Sequence, residues 1–140
     1  MATDEPIIVI DDDLDDQFLI KKICEDLEIK HPILFFDDGR ELLKYLRAAD
    51  ENPFLIICDI NMPVMTGLEL RREINTDEIL KLKSIPFVFL STAASPAQIK
   101  EAYLLTVQGF FIKPTTIDKL KQIFKLIFGY WNECKHPLAR

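Results

Sequence analysis

Five short apolar runs, each followed by a segment with helical spacing, predict an α/β domain built on a parallel sheet with helices on both faces. The runs are almost continuously apolar rather than alternating, as strands buried on both faces must be. At 140 residues the chain has room for one such doubly wound (βα)5 domain with a substantial core. The single domain is expected to span 1–140, with its core over about 5–130 and a tail over 131–140.

The first strand is read at Pro6-Ile7-Ile8-Val9-Ile10, followed by a helix from about Leu14 to Leu27. Ile33-Leu34-Phe35-Phe36 is the second strand. Asp38-Gly39-Arg40-Glu41 supplies an acidic cap with Glu at the third helical position, opening a helix to about Ala49. Phe54 to Cys58 is the third strand. Thr66-Gly67-Leu68-Glu69 repeats the capping pattern, and one helix is expected from there to just before Ile85-Pro86. Phe87 to Ser91 is the fourth strand. Ser95-Pro96-Ala97-Gln98 caps the next helix, with Pro at its first position. Gly109 to Ile112 is the short fifth strand, and a last helix runs from near Thr116 to about Tyr130.

The net charge of -6 argues against nucleic acid as a direct partner, because a phosphate backbone rewards clustered Lys and Arg. No basic-then-apolar leader and no long apolar run is visible, so a membrane span is not expected and the cytoplasm is. Cys24, Cys58 and Cys134 are an odd number without CxxC spacing, read as free thiols in a reducing compartment.

In parallel α/β sheets the ligand site lies at the carboxyl ends of the strands. Those ends carry Asp11-Asp12-Asp13 after strand one, Asp37-Asp38 after strand two, Asp59 after strand three, Ser91-Thr92 after strand four and Lys113-Pro114 after strand five. Close carboxylates repel unless a cation or a proton intervenes, and a hard divalent ion such as Mg2+ is the natural remedy. Asp11 and Asp12 precede the first helix and are the stronger site candidates. Asp13, Asp15 and Asp16 are explained equally well by the positive end of the helix dipole. Lys113 offers a compact ammonium that can pair with Asp59 or steady a phosphoryl oxygen. Ser91 adds a hydroxyl, and Pro114 makes a cis Lys113–Pro114 bond a candidate device for aiming the lysine. His31 and His136 read as loop and tail residues without a ligand partner.

Together these strand ends resemble the receiver domain of bacterial two-component response regulators, of the chemotaxis-regulator type. The matching segments are VIDDD (Val9 to Asp13), FDDGREL (Phe36 to Leu42), IICDINMPVMTG (Ile56 to Gly67), IPFVFLST (Ile85 to Thr92) and GFFIKP (Gly109 to Pro114). The resemblance implies a flavodoxin-like fold with strand order 2-1-3-4-5. It implies that Asp59 is the phosphoacceptor, and that Asp11, Asp12, Asp59 and the Asn61 carbonyl hold Mg2+. Ser91 would be the switch hydroxyl, Phe110 the aromatic switch and Lys113 the phosphoryl contact. The chain would then be a signalling protein that catalyses only its own phosphorylation and dephosphorylation. Thr92 stands where the family usually has Ala, which tightens access to Asp59. Phe110 replaces the frequent Tyr, so its switch rests on packing.

The implied partners are a sensor histidine kinase or a histidine phosphotransfer protein, and a downstream protein target. No effector domain is seen after Pro114, so a stand-alone regulator signalling through protein contacts is expected. On the last helix Ile117, Leu120, Ile123, Phe124, Ile127 and Trp131 share one face and read as core. Leu126, Tyr130 and Phe128 are candidates for a partner or homodimer surface. Rival readings fare less well. An aspartyl hydrolase of the haloacid dehalogenase type needs an acid where Asn61 stands, and a flavin-binding flavodoxin needs a phosphate-cradling first loop that DDDLDD would repel. A receiver-shaped interaction module working without phosphorylation is the remaining alternative.

Overall fold

The computed structural model describes residues 5–48, 50 and 52–136. The elements in order are β1 (Ile7–Ile10), α1 (Leu14–Asp26), β2 (Ile33–Phe36), α2 (Gly39–Ala48), β3 (Leu55–Cys58), α3 (Gly67–Thr76), α4 (Glu78–Lys83), β4 (Phe87–Ser91), α5 (Pro96–Leu104), β5 (Gly109–Ile112) and α6 (Ile117–Glu133). All strand pairs are parallel, and the sheet order is β2-β1-β3-β4-β5. This is the flavodoxin-like order that the resemblance implied.

The continuous apolar runs have a direct cause. Alternate residues of one strand face opposite sides of the sheet, and each side has its own core. Ile8, Ile10, Ile56, Cys58, Phe87 and Phe89 pack with α2, α3, α4 and α5. Ile7, Val9, Leu55, Ile57, Val88 and Leu90 pack with α1 and α6. Neither side is left to solvent, so neither set of positions tolerates polar residues.

Three expectations for the elements need correction. The segment after Thr66 is two helices rather than one. Asp77 is extended there (φ -85, ψ 114) and accepts from the amides of Ile79 and Leu80, capping α4. Arg47 holds the same carboxylate at 3.0 Å, so the break is anchored to α2. On α6, Phe128 is not on the surface: it follows Phe124 by four residues, lies 5.6 Å from its ring and is buried. Ile117 is exposed instead, because the first turn of α6 starts beyond the edge of the core. Leu120, Phe124 and Ile127 are buried as expected, and Leu126 and Tyr130 face outward. The end of α2 expected at Ala49 and the tail from Pro137 onward lie outside the described residues.

Both histidines have structural partners. His31 is buried, with Nδ1 2.7 Å from the Glu5 carbonyl and its ring stacked 4.2 Å from Phe54. His136 stacks on Phe54 too, at 5.5 Å, with Nε2 3.1 Å from the Phe54 carbonyl. All three cysteines are free. Burial pushes the Cys24 thiol up to about 12 and Cys58 upward as well, so both stay protonated.

Candidate functional site

Parallel pairing gathers all five strand ends at one edge of the sheet. β1 sits between β2 and β3, so the chain leaves it in one direction and returns on the other side, opening a crevice there. Ile10 is in register with Cys58, which sets the next residues, Asp11 and Asp59, side by side. Carboxylate oxygens of Asp11, Asp12 and Asp59 all lie within 4.8 Å of one another. Asp11 and Asp59 are buried and Asp12 is exposed, so the cluster has two fixed walls and one open side.

Local hydrogen bonds orient each acid. The Asp59 amide donates to the Ile10 carbonyl at 3.0 Å, and the Ile60 amide donates to Asp59 Oδ1 at 2.8 Å. The Asp13 amide donates to Asp11 Oδ1 at 2.9 Å. Behind Asp59 the chain turns back at Gly67, whose amide donates to the Ile60 carbonyl at 2.8 Å. A side chain on Gly67 would collide with the Asp59 carbonyl and come 2.8 Å from the Phe89 ring. Glycine is therefore required here by space.

Lys113 enters from β5. Its amide donates to the Ser91 carbonyl at 2.8 Å, which extends the β4–β5 pairing by one residue. Its ammonium lies 2.7 Å from Asp11 Oδ2, 2.8 Å from Asp16 Oδ2 and 3.8 Å from Asp59 Oδ2. The candidate cis Lys113–Pro114 bond is not found: no described peptide bond is cis. Strand pairing on one side and two carboxylates on the other already aim the lysine, so the ordinary trans preference of an X–Pro bond is not overridden.

The electrostatics follow from this packing. Burial raises the Asp11 carboxyl to about 6, although the Lys113 hydrogen bond, the Asp13 amide and the Lys113 charge all pull it down. Burial also pulls the Lys113 ammonium down, but its bonds to Asp11 and Asp16 and the charges of Asp11 and Asp59 outweigh that, and the net direction is upward. One ammonium here faces three carboxylates, those of Asp11, Asp16 and Asp59. An all-oxygen donor set of three close carboxylates with a single ammonium beside it fits a hard divalent cation.

The other expected residues border this cluster. Ser91 is fully buried, and its hydroxyl donates to the Ala93 carbonyl at 3.3 Å. Asn61 is exposed and donates from its side-chain amide to the same carbonyl at 3.2 Å, tying the ends of β3 and β4 together. Phe110 is half-buried, 5.7 Å from the Phe89 ring. Thr92 is exposed. Two further residues border the site: Asp16, which the sequence left open between the site and the helix dipole, and Gln17, which it did not single out. Asp16 bonds Lys113, and Gln17 donates to the Asp11 carbonyl (2.6 Å) and to Asp37 Oδ1 (2.7 Å). An acid in a first helical turn reads as a dipole partner, and nothing local betrays a partner 97 residues away.

Residues 7–125 match the family described as the response regulator receiver domain. The chain is 33% identical over 126 residues to the chemotaxis protein CheY of Pseudomonas aeruginosa, covering 90% of this chain and 98% of that protein. It is 28% identical over 135 residues to the response regulator Rcp1 of Synechocystis, covering 91% and 88%. Among solved structures it is similar to the phosphorylated cyanobacterial phytochrome response regulator RcpA, with TM-score 0.86, 31% identity and coverage of 96% and 99%. The Mn2+-bound form of Rcp1 gives TM-score 0.82 at 25% identity, with coverage of 95% and 99%. Among the described residues, no helix is long and apolar enough to cross a membrane.

Proposed function

The chain belongs to the response regulator receiver domain family, and on that premise we propose that it takes a phosphoryl group on Asp59 from a histidine kinase or histidine phosphotransfer protein. The observation that carries this reading is the convergence of Asp11, Asp12, Asp59 and Lys113 in one crevice, with the Asp59 carboxylate held by the Ile60 amide. Receiver domains are signalling proteins, and their output is a change of contacts rather than of substrate.

In the transfer an Asp59 oxygen attacks phosphorus, the P–N bond to the donor imidazole breaks and an acyl phosphate forms. The freed imidazole takes a proton from solvent. Charge builds on the phosphoryl oxygens, so catalysis rests on positioning and on neutralising that charge. Asp11, Asp12, Asp59 and the Asn61 carbonyl would hold Mg2+, which would supply most of that positive charge. Lys113, whose ammonium lies 3.8 Å from Asp59 Oδ2, would turn to contact the new group. The Ser91 hydroxyl donates to Ala93 in the unmodified chain. Turning to the phosphoryl group, it would draw the loop after β4 inward, and Phe110 would close behind it. Such a switch shifts populations only because the dianion bonds these groups differently in the two states.

The surface next to that switch suits a protein partner. Tyr103 and Leu104 on α5, Ile112 on β5 and Leu126 and Tyr130 on α6 are exposed apolar residues. A downstream target or a second copy of the chain would dock there.

The direct test is incubation with Mg2+ and acetyl phosphate or a phosphorylated kinase, followed by intact mass. One added phosphoryl group is expected, absent in Asp59→Asn and absent without metal. No adduct from any donor would instead support a receiver-shaped module that works without phosphorylation.

A further inference from the structure

Lys113 is the one cation that ion-pairs with the acidic cluster among the described residues, yet it does not bond the residue it would serve. Its two short contacts are to Asp11 and Asp16, and Asp59 is left at 3.8 Å. Asp16 is not among the clustered acids. It lies in the first turn of α1, where the helix dipole alone would account for an acid. The dipole does not account for its carboxylate reaching the end of β5. The turn that carries it is pinned on both sides. Asp13 accepts from the amides of Asp15 (2.8 Å) and Asp16 (3.3 Å), and Gln17 bridges the Asp11 carbonyl and Asp37. A carboxylate on so fixed a turn decides where the ammonium rests.

We propose that Asp16 is a positioning residue for Lys113: it shares the ammonium with Asp11 and keeps it off Asp59, leaving that carboxylate open to a divalent cation and a phosphoryl group. The inference rests on the reading of Asp59 as phosphoacceptor. Without Asp16 the lysine keeps Asp11 and moves toward Asp59, its nearest remaining acid. The ammonium then competes with the cation for the same oxygens. When a phosphoryl group arrives, its dianion offers Lys113 a stronger partner, and Asp16 is the contact released.

The test is Mn2+ binding by the full chain, followed by the EPR signal of free Mn2+, which needs no phosphorylation. Asp15 is the control: it is exposed, sits in the same turn and forms no ion pair with Lys113. Asp15→Asn removes the same charge without touching the lysine and is expected to weaken binding about 2- to 3-fold. Asp16→Asn is expected to weaken it about 10-fold, because the displaced ammonium adds to the lost charge. In a Lys113→Met background the two losses should become equal, since no ammonium remains to be displaced. Both Asn substitutions keep the side-chain shape, and circular dichroism checks the fold.

Equal losses for the two variants with Lys113 present, or an unchanged Asp16→Asn loss in the Lys113→Met background, would overturn the proposal. Wild type that binds no Mn2+ would overturn the cation reading of the site along with it. Binding with the expected coupling but no phosphoryl uptake would sink the phosphoacceptor reading alone.

Discussion

Asp11 shows how a single carboxyl carries the tension of the site. Its ordinary value is 3.8, and burial lifts it to about 6 in the folded chain despite the bond to Lys113. Between those values the folded state keeps a proton that the unfolded state has lost. Its contribution to stability is therefore fully present below about pH 4 and is lost as pH rises through about 6. In the presence of a chelator, the Tm of wild type should fall relative to that of Asp11→Asn as pH is raised from about 4 to 7. Mg2+ added at pH 7 should raise the Tm of wild type more than that of the variant, which lacks a carboxylate for it. A Tm difference that does not change with pH would show that Asp11 is not shifted. At this scale the sequence was informative about residue types and silent about pairing. Asp11, Asp59 and Lys113 were legible because each follows an apolar run directly, and Asp12 because it comes one residue later, before the helix. Asp16 and Gln17 were not, because their roles depend on which distant strand end α1 packs beside.

Among the elements, the loop from Asp59 to α3 is the most constrained. Val64 in it has φ 70, a conformation costly for a β-branched side chain, and it is exposed. Val64→Gly should relieve that strain and stabilise the chain by about 1 kcal/mol in urea unfolding. Three residues on, the opposite holds. Gly67→Ala places a methyl against the Asp59 carbonyl and the Phe89 ring, so the loop or Asp59 must move. We expect a loss of at least about 1–3 kcal/mol together with impaired phosphoryl uptake, checked by unfolding and intact mass. The capping boxes at Thr66 and Ser95 form as their spacing implied. The break at Asp77 was hidden, because an acid between two helix-forming stretches reads as an ordinary surface residue until its amide bonds and Arg47 are seen.

The whole molecule depends on two half-cores meeting across one thin sheet. Phe124 is fully buried between α6 and the strands on one side. Phe124→Ala should cost about 3–5 kcal/mol in urea unfolding, with the acidic edge of the sheet lost only as the fold is lost. The apolar periodicity of the chain by itself determined the number of strands, their parallel pairing and the sheet edge where chemistry would gather. Those follow from local rules: buried strands must be apolar, helices need caps, and a charged residue ending a buried run marks a strand end. Only the tertiary structure decided that Phe128 is core and Ile117 is not, and that Lys113 leans on Asp16 rather than on Asp59. Each of these is a choice between partners far apart in the chain, and the energy that decides it exists only after packing has brought them within a few ångströms.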